Sequence, residues 1–181
     1  MNFTKAITVL LVGSFFLFSC GGDDKNGLEG EWEAVSFQAE VSSSTAIEGV
    51  AFVSSTIIEG SNLDYVLNLD DGDYTVSGSY DLTVTTGSDL IEEPIVDGQS
   101  YSGVSGEGTY SLDEDEITVM GQFFEFDLDG APIGQSAGTA VAKYTLNGDM
   151  LSFSQMEETM IDFGGSISTT TIEATSTWRR K

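Results

Sequence analysis

One cysteine, Cys20, and no histidine set the limits of side-chain chemistry in this chain. Histidine is the commonest general base and zinc ligand, and a thiolate the readiest nucleophile at neutral pH. Ser-His-Asp and Cys-His catalysis are therefore excluded. What remains is carboxylate chemistry, from 30 Asp and Glu side chains. Paired carboxylates can act as acid and nucleophile on a glycosidic bond, and clustered ones suit calcium. Asp70-Asp71-Gly72-Asp73 and Asp127-Leu128-Asp129-Gly130 are the candidate oxygen clusters, yet neither has the ligand spacing of an EF-hand loop. Hairpin turns use the same residues for backbone reasons. No pair stands out, and nearly all the acids fall in turns or at polar strand positions. We expect solvated surface, with no catalytic residue, no metal, no cofactor and no enzymatic activity.

Cys20 itself is placed for a different reaction. Lys5 supplies a positive flank, Ala6 to Phe18 is a short apolar segment, and small Ser19 precedes the cysteine. Those parts describe a secretory signal. As a helix the apolar segment spans roughly 20 Å, short of a hydrocarbon layer about 30 Å thick, so it is not expected to remain as a transmembrane span. Leu17-Phe18-Ser19-Cys20 resembles the lipobox of bacterial lipoproteins, with Phe18 bulkier than the usual occupant. The resemblance implies a signal peptide over 1–19, a thioether-linked diacylglycerol on Cys20, and a new N-terminus there. Two or more acyl chains hold a protein at a membrane where one only hovers. Residues 20–27 then form a glycine-rich tether reaching roughly 15 Å. Asp23-Asp24 beside Lys25 resembles the acidic export tags of some outer-membrane lipoproteins. The expected location is the outer membrane, lipid-anchored, on its periplasmic side or at the cell surface.

The formal net charge is −24. Once Lys5 leaves with the signal, Lys25, Lys143, Arg179, Arg180 and Lys181 are the only cations. No basic stripe exists to neutralise phosphates, so nucleic acid is excluded as a partner. Anionic headgroups would repel the domain too, leaving the acyl chains as its hold on the membrane.

From Leu28 to Lys181 the chain reads as one all-β domain. Trp32, Val35, Phe37, Ala39 and Val41 open it, with a change of phase after Trp32 that predicts a bulge. Val50 to Ile58 is a weaker run. Leu63, Tyr65, Leu67 and Leu69 alternate up to the turn Asp70-Asp71-Gly72-Asp73, and Tyr74, Val76, Gly78, Tyr80, Leu82 and Val84 alternate on the way back. Thr85 to Gln99 reads as a long acidic loop. Tyr101 to Leu112 and Ile117 to Leu128 pair around Asp113-Glu114-Asp115-Glu116, the second strand shifting phase near Gly121. Asn147-Gly148 predicts a two-residue hairpin loop setting Tyr144 opposite Leu151 and Ala142 opposite Phe153. Ile167 to Arg179 closes the chain, with Ile172, Ala174, Ser176 and Trp178 in one phase. Eight or nine antiparallel strands joined in sequence leave no exposed edge if they close into an up-and-down β-barrel. A two-sheet β-sandwich is the alternative.

Gly30-Glu31-Trp32 at the start and Trp178-Arg179 at the end resemble the lipocalin pattern, a Gly-x-Trp with a late arginine packed across the tryptophan. The domain resembles the lipocalin-like domains of bacterial lipoproteins, including a glycine-any-tyrosine strand start at Gly108-Thr109-Tyr110. There is no Thr-Asp-Tyr motif, and no helix is expected after the last strand. The resemblance implies barrel closure by Gly30, Trp32 and Arg179. An inward row of Tyr74, Val76 and Tyr80 faces Ala142 and Tyr144, and with the small residues between them it suggests a site for a small apolar ligand. The same mix of sizes fills small barrels with side chains. Two functions follow: a lipid-anchored binder of a small hydrophobic molecule, or a structural or adhesive surface module touching protein or glycan through its outer face or loops. The oligomeric state is left open.

Overall fold

The computed structural model describes residues 27–47, 50–121, 123–124, 139–162 and 166–181. Cys20, the tether before Gly27 and Asp127-Leu128-Asp129-Gly130 lie outside the described residues. Eight strands make up the domain: β1 (Gly30–Ile47), β2 (Val50–Asp70), β3 (Asp73–Ser88), β4 (Ile95–Asp113), β5 (Glu116–Met120), β6 (Ala140–Asn147), β7 (Met150–Asp162) and β8 (Ile167–Arg180). Each pairs antiparallel with its neighbour in sequence, and β8 returns to β1, so one all-β sheet closes on itself.

The phase changes are bulges. Ala34 pairs with Trp178 and Ser36 with Thr177, leaving Val35 as the extra residue. Trp32 and Ala34 thus face inward, Val35 outward, and Phe37 and Ala39 inward again. A second bulge joins two runs that the sequence pattern separates. Ser61 pairs with Asp81 and Asp64 with Ser79, so Asn62 and Leu63 together oppose Tyr80. Asn62 takes a left-handed φ of 50° there, a conformation asparagine tolerates better than most residues. β2 is therefore one strand through both runs.

Turn chemistry sets the hairpins. Asp71 and Gly72, with φ of 42° and 92°, form the two-residue loop between Asp70 and Asp73. Two left-handed residues in sequence are the type I′ signature, whose twist matches the flanking strands. The β6–β7 loop corrects the expectation for Asn147-Gly148. Asn147 pairs with Met150, so the loop is Gly148-Asp149. Gly148, at φ 61°, holds the first loop position, where a type II′ turn wants glycine. The register moves with it: Tyr144 faces Phe153 and Leu146 faces Leu151.

The expected loop over Thr85 to Gln99 is mostly ladder. Thr85 and Thr86 pair with Val96 and Ile95, leaving 89–94 between the strands. Its Thr, Gly and Asp residues carry no apolar alternation because neither face is deeply covered there. Gly108 consequently lies inside β4 and does not start it. β5 stops at Met120, ahead of the Leu128 end expected from sequence, and Gly121 leaves the ladder at φ 127°.

These ladders give the barrel two unlike ends. The β2–β3, β4–β5 and β6–β7 turns, Gly30 and Arg180 all lie at one end, which we call the closed end. β5 pairs with β4 only over Thr109–Asp113, and with β6 only over Ala140–Lys143. β1, β2, β3, β4, β7 and β8 run on to the distal end. The core of Leu28, Trp32, Tyr65, Leu67, Leu69, Ile117, Leu151 and Trp178, all essentially inaccessible to solvent, fills the closed half, and Ile58 is buried above it. Distally the inward positions turn to hydroxyls, paired across strands as Ser43 with Thr170, Thr45 with Ser168 and Thr56 with Thr86, each at 3.1 Å.

Candidate functional site

At the closed end the arginine over Trp32 is Arg180, correcting the assignment of Arg179 from sequence. Its guanidinium carbon stands 4.3 Å from the centre of the Trp32 ring. Strand parity is the reason. Trp32 pairs directly with Arg180 across the β1–β8 ladder, so the two side chains share a face. Arg179 points the other way and meets Glu33 at 2.9 Å on the exposed surface. Arg180 also donates to the Glu29 carbonyl at 2.9 Å and to the Gly27 carbonyl, while the Trp32 indole donates to Leu28 at 2.8 Å. Gly30, at φ 124°, lets the chain pass close beneath the arginine, where a Cβ would stand 3.2 Å from the guanidinium. One cation thus binds the incoming chain to the final strand.

The proposed ligand row faces inward as expected, into packed surroundings. Tyr74, Val76 and Tyr80 are buried. The Tyr74 ring lies over Gly108 and Gly121, where an added Cβ would collide with it. Val76 packs on Gly106, and Tyr80 stacks on Tyr101 with ring centres 5.0 Å apart. Gly78 is not an opening for a ligand. The backbone of Asp64 and Tyr65 occupies the space, and a Cβ on Gly78 would come within 2.9 Å of the Tyr65 Cα. Ala142 is half-buried opposite Ile117 on β5. Tyr144 sends its hydroxyl to the Glu114 carbonyl at 3.0 Å, tying down the β4–β5 turn. The five residues thus share an inner face, but only the first three belong to its packed centre.

Phe123 and Phe124 complete that centre and were not assigned a role from sequence. Phe124 meets Phe37 at 4.4 Å, Tyr65 at 5.3 Å, Trp178 at 5.4 Å and Tyr80 at 5.5 Å between ring centres. Phe123 stands edge-on to Tyr74 at 5.0 Å and against Phe153 at 5.3 Å. Such pairs contribute about 0.5–1.5 kcal/mol each beyond area burial. Two adjacent inward aromatics are incompatible with strand alternation, so Gly121 must release the chain before them. The doublet after a glycine was the available signal.

Electrostatic perturbation is slight. Asn62 donates to the Asp81 carboxylate at 2.6 Å, and this bond, with a second from Ser100, holds Asp81 below the usual carboxylate range. Burial pushes the Tyr110 phenol up; a hydrogen bond to the Gly72 backbone opposes the shift, and the charges of Glu29, Asp70 and Asp71 add to it. Both groups pin a bulge or turn. Among the described residues, no three carboxylates converge as a metal would require. In comparisons with protein-family models, curated proteins and solved structures, the chain matches none.

Proposed function

We propose that the chain is a lipoprotein, acylated at Cys20, whose lipocalin-like barrel is a non-catalytic recognition module. It is held at the outer membrane by its closed end and meets a partner with the distal end. The observation that carries this reading is the aromatic plug of Phe124 among Phe37, Tyr65, Tyr80 and Trp178. A side-chain-filled closed half favours a scaffold over a carrier. A small apolar ligand held by Tyr74, Val76 and Tyr80 would have to displace that packing. The Trp32–Arg180 contact and the ring of sequential strands support the lipocalin-like assignment. Gly30 lies at the closed end, so the tether joins the domain at that end.

The test is site-specific photo-crosslinking in intact cells. A benzoylphenylalanine is placed distally at Ser88 or Thr159, or at the closed end at Asp71 or Glu114. We expect a discrete protein or glycan adduct from the distal sites alone. Adducts from the closed end alone, or none from any site, would overturn the assignment.

A further inference from the structure

The β3–β4 loop, residues 89–94, holds a leucine out in solvent on a turn built to keep it there. Leu90 is 74% exposed, more than any other large apolar side chain among the described residues. Hydrogen bonds fix its turn. The Asp89 carboxylate accepts from the Val53 N–H at 3.1 Å, and the Asp89 N–H donates to the Val53 carbonyl at 3.0 Å. The Leu90 N–H donates to the Ser88 hydroxyl and the Ile91 N–H to the Ser88 carbonyl, each at 3.2 Å. Pro94 then restrains the backbone ahead of β4. Ile91, Ile95, Val96 and Val53, the strand residue bonded to Asp89, are exposed as well.

A leucine on an exposed turn has no backbone reason to be there, since turns favour Gly, Pro, Asn, Asp and Ser. A solvent-facing apolar patch with a polar rim marks an interaction surface. The rim here is acidic. Glu92 and Glu93 follow Ile91 directly, Asp97 follows Val96, and all three are exposed. No Lys or Arg occurs between Lys25 and Lys143 to offset them. That charge decides between occupants. A second copy would set carboxylates against carboxylates at contact distance, inside a Debye length of about 8 Å at physiological salt. An anionic bilayer surface would repel them too, since such surfaces attract basic segments. An apolar protein surface bordered by Lys and Arg suits both the leucine and its rim.

We infer that the β3–β4 turn is a docking tip. Leu90 and Ile91 seat in an apolar site on a partner protein, and Glu92 and Glu93 meet the lysines or arginines at its border. The hydrogen bonds of the turn fix the tip before contact, so docking orders little additional chain. Burial of the leucine supplies affinity, and the carboxylates supply orientation and encounter rate. The inference deepens the recognition-module reading and rests on it.

The experiment is fluorescence anisotropy of the full chain in phosphatidylcholine nanodiscs, read against empty nanodiscs. The probe is a labelled amphipathic Leu-Lys tetradecapeptide whose apolar stripe is bordered by lysines. Three variants separate the contributions: Leu90→Ser, Glu92→Lys, and Glu114→Lys at the closed end. The expected result is saturable binding, weakened roughly ten- to a hundredfold by Leu90→Ser, as for loss of one buried leucine. Glu92→Lys should weaken it about tenfold, and Glu114→Lys should leave it unchanged. Undiminished binding in Leu90→Ser would reduce the contact to charge attraction and overturn the inference. So would absence of Leu-Lys binding, or an equal loss in Glu114→Lys. Leu90-dependent association with protein-free phosphatidylcholine vesicles, or of one loaded nanodisc with another, would give the tip to lipid or to a second copy and overturn it likewise. Adducts in cells from the distal Thr159 site without peptide binding would retire the tip and leave the recognition module standing.

Discussion

Gly78→Ala is expected to be the most damaging single-methyl change in the domain. The added carbon meets main chain, the Asp64 carbonyl and the Tyr65 Cα, and neither can rotate aside. Its φ of 134° also lies where side chains are rarely tolerated. Strain of about 1–3 kcal/mol combines with overpacking of about 1–3 kcal/mol. A loss of about 2–6 kcal/mol is a large fraction of ordinary domain stability. Denaturant melts of Gly78→Ala and of Gly98→Ala provide the check. Gly98 lies on the exposed part of β4 with nothing within 4 Å of a Cβ, so its variant should be nearly neutral. Equal midpoints for the two would show that the Asp64–Tyr65 backbone does not press on Gly78.

The second large effect is expected at the closed end. Trp32→Ala removes an aromatic side chain with no exposed surface and should destabilise by about 3–5 kcal/mol. Arg180→Ala loses a cation–π contact of about 0.5–2 kcal/mol and charged hydrogen bonds to Gly27 and Glu29, which net about 1.5–3 kcal/mol each at most. Because the arginine lies on the ring, the double variant should lose less than the two single losses together. Arg179→Ala, breaking only an exposed pair with Glu33, should cost under about 1 kcal/mol. A cycle over Trp32 and Arg180 by denaturant unfolding decides it. Strict additivity, or a larger loss from Arg179→Ala, would return the closure role to the outward-facing arginine.

That exchange of arginines shows what was legible in the sequence. The Gly-x-Trp and the terminal basic residues mark the closure, but choosing between Arg179 and Arg180 needs the register of the last ladder. A one-residue slip in a strand exchanges its faces. The Val35 bulge on the facing strand hides that register, although the phase change beside it was visible. The same limit shifted the loop from Asn147-Gly148 to Gly148-Asp149, because glycine's freedom at φ 61° was worth more at the first loop position. The inward row from Tyr74 to Leu82 was legible because strict alternation survives along it. Its surroundings were not. Gly78 looks like free volume in sequence, and only the Ser61–Asp64 bulge brings the main chain into that space. The distal strands were underestimated for another reason. Thr85 to Ser88 and Gln155 to Asp162 pair through backbone while exposing much of both faces, so they carry no apolar period to read.

The measurement closest to the central claim is native mass spectrometry of the chain released intact from membranes. An acylated module with a filled closed half predicts a polypeptide starting at Cys20, heavier by a diacylglyceryl group and any further acyl chain, and with no small molecule retained. The account is contradicted by a chain that keeps residues 1–19 or carries no lipid on Cys20. It is equally contradicted by a stoichiometric small passenger that survives gentle release and is lost only on unfolding.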